Sequence, residues 1–171
     1  MRAVKVVESV DITAPRKYVF GLITNCDRRL QLSPLWGLME IQDIAPNFPQ
    51  EGSYYHVKPR VPSGEEEYDT IVTTFIPNQK FTYELTAKRG TRVTWSFQDV
   101  PQGTRLIYYE EFLVDEAGDD EFVQAVRKVV REWLANIKRY AELGPVIAGA
   151  VKQYIDEVKG GEFPTEGHSF N

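Results

Sequence analysis

The chain has 171 residues, a net charge of −5 and 12% aromatic side chains, including nine Tyr and nine Phe. That length suits one domain burying roughly two thirds of its unfolded surface. Its Lys and Arg residues are scattered instead of forming a stripe, which argues against a nucleic-acid partner. Cys26 is the only cysteine, so neither an intrachain disulfide nor a thiolate metal cluster can form, in keeping with a reducing compartment. The first ten residues alternate polar and apolar character without a continuous apolar segment, so a cytoplasmic protein with no stable membrane insertion is expected.

Val4, Val6, Val10 and Ile12 share one face of a first strand over residues 3–12, and Glu8 falls on the same face. A helix follows, with Thr13 expected as its cap, Pro15 in its first turn and Tyr18, Val19, Leu22 and Ile23 as its apolar side. Asn25 and Asp27 interrupt it, and a second short helix over residues 27–32 stops at Ser33 and Pro34. Strands are predicted over 38–44, 53–59, 66–75, 80–88, 92–100 and 104–114, with Pro, Gly and Asn at the turns between them. Tight links imply an antiparallel meander. Phe81, Tyr83 and Leu85 share one face, as do Val93, Trp95 and Phe97, while Thr82, Glu84, Thr94 and Ser96 face the other way, giving a sheet with one dry side and one wet side.

Residues 119–142 carry the clearest helical signal, because Phe122, Val126, Val129, Val130, Trp133, Ile137 and Tyr140 recur at spacings of three and four. Acidic residues open this segment and Lys138 and Arg139 lie near its end, matching the helix dipole. Gly144 and Pro145 predict a break before a second amphipathic helix bearing Ile147, Val151, Tyr154, Ile155 and Val158. The expected organisation is thus a domain over 1–143, an appended helix over 144–158 and a mobile tail over 159–171.

Dinucleotide, P-loop, H-E-x-x-H and nucleophile-elbow patterns do not occur, so neither a cofactor nor a metal is expected. His56 alternates with Tyr55 and Val57 and is expected to face solvent. Two carboxylates sit on apolar strand faces. Glu8 lies among valines, and Glu110 lies with Leu106, Tyr108, Phe112 and Val114 if that face is inward; Ile107, Tyr109, Glu111 and Leu113 offer an equally apolar alternative. Burial raises a carboxyl pKa, which makes Glu8 and Glu110 candidate proton donors or bases, although Glu8 can also reach solvent or pair with a basic side chain.

The segments E-S-V-D-I-T-A-P (8–15), I-P-N-Q-K-F-T-Y-E-L (76–85), G-T-R-L (103–106) and N-I-K-R-Y-A-E (136–142) occur in this order along the chain. With the element order, they resemble the START and Bet v 1-like superfamily, specifically its polyketide cyclase/dehydrase and lipid-transport branch. The resemblance implies an α+β helix-grip fold, with a seven-stranded curved antiparallel sheet around a long C-terminal helix and a cavity for an apolar molecule between them. It implies a lining of Tyr55, Val57, Phe81, Tyr83, Val93, Trp95, Tyr108, Glu110 and Phe112, with Val126, Val130 and Trp133 from the helix. It also favours Leu106, Tyr108 and Glu110 as inward.

Three functions follow as expectations. The first is binding or carriage of a hydrophobic small molecule such as a lipid, polyketide or aromatic compound. A second is a cofactor-independent cyclase, aromatase or dehydratase in which Glu8 or Glu110 moves a proton and Tyr83, Tyr108 or Tyr55 binds a substrate carbonyl. The third is a protein-interaction module resembling the Hsp90 ATPase activators. A homodimer through the appended helix is a further expectation.

Overall fold

The computed structural model describes residues 1–60, 66–86, 90–115 and 120–161. Its elements are β1 (Arg2–Ile12), α1 (Arg16–Thr24), α2 (Cys26–Gln31), a short 3-10 turn (Trp36–Leu38), β2 (Met39–Gln42), β3 (Tyr54–Pro59), β4 (Tyr68–Ile76), β5 (Lys80–Leu85), β6 (Arg92–Val100), β7 (Gly103–Val114) and α3 (Asp120–Lys159). The seven strands form one sheet in the order β1-β7-β6-β5-β4-β3-β2, antiparallel throughout. This is the predicted helix-grip architecture. The predicted strand end at Lys88, the start of the long helix at Asp119 and most of the tail lie outside the described residues.

Inward and outward residues alternate as the sequence predicts. Tyr55 and Val57 are buried with His56 turned outward, and on β7 the inward face is Leu106, Tyr108 and Phe112, which decides the open register in favour of Glu110. α3 packs along β1 and buries Val123, Val130, Trp133, Leu134, Ile137 and Ala141. α1 adds Val19, Phe20, Leu22 and Ile23 to the same core, whereas Tyr18 lies at its surface.

Two of the segments quoted above act as fasteners. In G-T-R-L, a Cβ on Gly103 would fall 2.1 Å from the Ile12 carbonyl oxygen, so only glycine permits this approach. Thr104 donates from Oγ1 to the Ala14 carbonyl at 2.8 Å, Arg105 forks onto Asp11 at 2.8 and 3.1 Å, and Leu106 enters the core. In the 136–142 segment, Asn136 donates to the Leu32 carbonyl, Lys138 to the Asp11 carbonyl, and Glu142 accepts from the Thr13 backbone N–H. Together they tie α3 to the end of β1 and the end of α2.

Two local expectations are corrected. Thr13 does not cap α1; Pro15 holds the cap position without a side-chain hydrogen bond, and the Thr13 N–H is taken by Glu142. The predicted break at Gly144 and Pro145 is absent, because α3 runs through both as one helix of 40 residues. The proline costs one backbone hydrogen bond, but its fixed φ is helical. Its ring disfavours helical backbone in the preceding residue chiefly by crowding that residue's Cβ, and Gly144 has none.

Candidate functional site

Of the predicted lining residues all but Glu110 and Val126, which are partly buried, are buried, and the apolar ones divide among three clusters. Phe81, Tyr83, Val93, Trp95, Tyr108, Val130 and Trp133 meet in the central core under α3. Tyr55 and Val57 pack beside it with Cys26, and Phe112 belongs to a satellite with Val6, Val114 and Val123. Val126 touches both the central core and the satellite.

Under the helix several of these rings meet one another directly. Trp95 meets Tyr108 at 4.8 Å and Trp133 at 5.1 Å between centroids, both edge-on, and Phe81 meets Tyr83 at 5.4 Å. These are favourable aromatic geometries. Part of the aromatic content read from the sequence is thus engaged in mutual contact. Two open hollows lie elsewhere, one where α1 and α2 meet Tyr140 and one on the outer sheet face around Thr82 and Thr94, and neither includes a predicted lining residue.

Polar groups converge inside this aromatic mass. Tyr83 Oη accepts from Trp95 Nε1 at 3.2 Å, Tyr108 donates to Glu110 at 2.7 Å, and Trp133 Nε1 donates to the Arg29 carbonyl at 2.9 Å, fixing α2 beneath α3. Burial pushes the Tyr83 and Tyr108 phenols well above their ordinary range, so both remain neutral hydrogen-bonding groups. Burial also raises Glu110, and the hydrogen bond from Tyr108 offsets part of that shift. Both phenols lie within electrostatic reach of Glu110 and of Arg29.

Glu8 lies in a different setting. Its carboxylate meets Arg131 Nε at 3.1 Å and Arg127 Nη1 at 3.5 Å, an ion-paired cluster that joins β1 to α3. The basic partner weighed in the sequence is therefore present twice. Outside the grip, His56 bonds Asp69 at 2.8 Å and Glu67 at 3.1 Å; these two hydrogen bonds, Asp69 first, raise its pKa.

Sequence reasoning missed Arg29. It sits on α2 with no exposed surface, donates from Nη1 to the Ile23 carbonyl at 2.7 Å and from Nη2 to Tyr55 Oη at 2.6 Å. Its guanidinium carbon lies 5.0 Å from the Tyr83 ring centre, 5.4 Å from Phe81 and 5.8 Å from Tyr55. α2 is too short for a reliable apolar period, and C-D-R-R-L-Q presents two adjacent arginines of which only one turns inward, so no sequence signal separates Arg29 from Arg28. The set is chemically capable of orienting a polar end of an apolar molecule: one fixed cation, neutral phenols and a carboxyl whose pKa burial raises. Among the described residues, no cluster of His, Cys, Asp and Glu has the arrangement of a metal site, and no helix is long and apolar enough to cross a membrane.

Comparison with known proteins gives the same architecture. The chain resembles the Aha1 dimer from Colwellia psychrerythraea (17% identity, TM-score 0.61, 82% of this chain and 98% of that one). It also resembles Ara h 8.0201 (14%, TM-score 0.62, 82% and 98%) and the di-domain ARO/CYC StfQ of the steffimycin biosynthetic pathway (12%, TM-score 0.64, 84% and 52%). At these identities the likeness is one of fold. Separately, 35 residues are 66% identical to a stretch of 3-methyl-2-oxobutanoate hydroxymethyltransferase from Pelobacter propionicus, a match spanning 20% of this chain and 13% of that enzyme. Residues 3–142 match the family described as polyketide cyclase/dehydrase and lipid transport, and with that extent of the fold accounted for, the chain belongs to this family.

Proposed function

We propose that this protein binds a hydrophobic small molecule between its sheet and α3, with Tyr55, Phe81, Tyr83, Trp95, Tyr108 and Trp133 forming the contact surface and the interior polar groups fixing orientation. The observation that carries this reading is the convergence of Arg29, Tyr83, Tyr108 and Glu110 inside an aromatic interior, since a purely structural core has little use for so many polar groups. Because Trp95, Tyr108 and Trp133 contact one another in the interior, a ligand entering there disturbs these rings, and Trp95 and Trp133 report the event. The test is titration with fatty acids, sterols and polycyclic aromatics, read by tryptophan fluorescence and melting temperature, alongside native mass spectrometry of protein taken from its source cell. A saturable fluorescence change with a rise in melting temperature is expected. If the whole panel leaves both signals unchanged, and the protein from the cell carries no ligand, the reading fails.

The Tyr108–Glu110 pair supports a second reading, cyclase-type proton transfer, because a carboxyl with a raised pKa beside a neutral phenol is suited to general acid–base work. Turnover of a polyketide substrate that Glu110→Gln abolishes without weakening binding would favour it over carriage.

The continuation of α3 supports a further proposal, pairing with a second copy. Leu143, Ile147, Val151, Tyr154 and Val158 recur at spacings of four and three on the extension, and each is 45–60% exposed. Such a stripe is complementary to itself, and the similar Aha1 structure is of a dimer. Sedimentation should give a dimer that Ile147→Ser with Tyr154→Ser converts to monomer; a monomer at every concentration refutes the proposal.

A further inference from the structure

We propose that Arg29, with Tyr55 and Thr70, forms a buried subsite for the carboxylate of an apolar monocarboxylic acid, whose body lies among the rings under α3. This rests on the reading of the interior as a small-molecule site and names the class of molecule it takes.

The argument starts from an imbalance. Removing a guanidinium from water costs several kcal/mol, and buried arginines are ordinarily matched by a carboxylate. Arg29 has no exposed surface, and among the described residues its hydrogen-bond partners are two neutral oxygens, the Ile23 carbonyl and the Tyr55 hydroxyl. The three surrounding ring faces help hold the cation. They cannot accept the in-plane Nε–H, and Nε is one of two buried side-chain polar atoms left without a partner.

The other such atom is Thr70 Oγ1. Thr70 stands directly across the β3–β4 ladder from Tyr55, so both side chains rise from the same face of the sheet, and Thr70 is 1% exposed. Tyr55 is therefore the common neighbour of both orphan groups. Its oxygen accepts from Arg29, which leaves its own hydrogen to donate. A guanidinium edge and two hydroxyls gathered in a dry interior are donors in search of acceptors, and one carboxylate supplies several acceptor sites at once.

The surroundings restrict the ligand. One uncompensated cation balances one negative charge, so a phosphate dianion would leave a charge buried without a partner. Phe48 packs against both Tyr55 and Phe81, and Phe81 and Tyr83 lead away toward Trp95, so the remainder of the molecule must be apolar and suits an aromatic or aliphatic body. Glu110, within electrostatic reach of Tyr83, disfavours a second carboxylate.

The experiment compares each acid with its primary amide, which keeps shape and loses charge. 2-Naphthoate and 2-naphthamide, and dodecanoate and dodecanamide, are titrated into the protein and into Arg29→Met and Thr70→Val. Unaltered protein should hold the acids at least about tenfold more tightly than the amides. Arg29→Met should reduce that preference to about twofold or less, and Thr70→Val should weaken the acids while sparing the amides. Methionine fills irregular apolar space, and replacing a buried charge with an apolar group is often tolerated. Should Arg29→Met not fold, the acid–amide comparison on unaltered protein and on Thr70→Val decides. Equal binding of acid and amide overturns the carboxylate subsite and leaves the small-molecule reading standing. Acid preference that survives in Arg29→Met overturns the assignment to Arg29. Absence of binding by all four probes overturns the subsite as proposed; the wider panel of neutral apolar ligands then decides the underlying reading separately.

Discussion

The two halves of α3 carry the same kind of sequence and meet opposite fates. From Val123 to Ala141 the apolar stripe is buried or partly buried, with Ile137 and Ala141 fully enclosed, whereas from Leu143 onward the stripe lies open, with Ile147 60% exposed. Helical periodicity in both halves says that one face seeks an apolar partner. Only the first half finds that partner within the fold, because the sheet and the fasteners at Asn136, Lys138 and Glu142 end there. An amphipathic pattern therefore predicts that burial is sought without saying what supplies it.

Stability measurements can break this contrast. Trp133→Ala removes an indole that contacts Trp95 and bonds the Arg29 carbonyl, and should cost about 3 to 5 kcal/mol in denaturant unfolding. Ile137→Ala should cost about 2 to 5 kcal/mol, while Ile147→Ala at concentrations where the chain is monomeric should stay within about 0.5 kcal/mol. Equal losses at 137 and 147 would mean that the extension folds back onto the core.

Glu110 sharpens the comparison inside the grip. Tyr108→Phe strips the Glu110 carboxyl of its donor and should cost about 1 to 3 kcal/mol. Because burial raises the folded-state pKa of Glu110, its contribution to stability is present below the ordinary glutamate range and is lost as pH rises through the raised value. Glu110→Gln should therefore gain on the unaltered protein as pH climbs from 4 to 7. Asp11, hydrogen-bonded by Arg105, and Glu142, hydrogen-bonded by Lys138 and the Thr13 N–H, are lowered, so their contributions are present above the ordinary carboxylate range and are lost as pH falls. Urea midpoints across that pH range for Glu110→Gln and Glu142→Gln should move in opposite senses.

These carboxylates mark how far the sequence could be read. Alternation grouped Glu8 with Val6 and Ile12 and grouped Glu110 with Tyr108 and Phe112, since a strand period of two needs no tertiary information, but it took the family resemblance to favour the Glu110 face over that of Glu111. Alternation could not distinguish Glu8 from Glu110, because Arg127 and Arg131, which occupy Glu8, come from a helix more than a hundred residues away. Two of the segments that carried the family resemblance proved to encode fastening: Gly103 and Thr104 hold β7 against the end of β1 and the link after it, and Asn136 and Glu142 tie α3 to the end of α2 and to the link after β1. Arg29 was illegible for the complementary reason. Its burial comes from Trp133, Tyr55, Phe81 and Tyr83 arriving from three other elements, and a six-residue helix has no period long enough to announce an inward face.

The smallest expected effects test whether α3 is continuous. Gly149 lies on the extension with open space where a Cβ would go, so Gly149→Ala should stabilise that turn by about 0.5 to 1 kcal/mol through helix propensity alone. Gly144 sits in the same helix, yet a Cβ there would lie 2.6 Å from Tyr18 Oη and would crowd the ring of Pro145. Tyr18 is partly exposed and can yield; the proline ring cannot. Gly144→Ala should therefore lose the propensity gain and destabilise the extension by a similar amount, about 0.5 to 1 kcal/mol. Amide hydrogen exchange over residues 144–159 separates the two, slower for Gly149→Ala and faster for Gly144→Ala, with exchange near Ile137 unchanged in both. Slower exchange in both variants would show that glycine is not what lets the helix pass its proline, and that the two segments join through a flexible link instead.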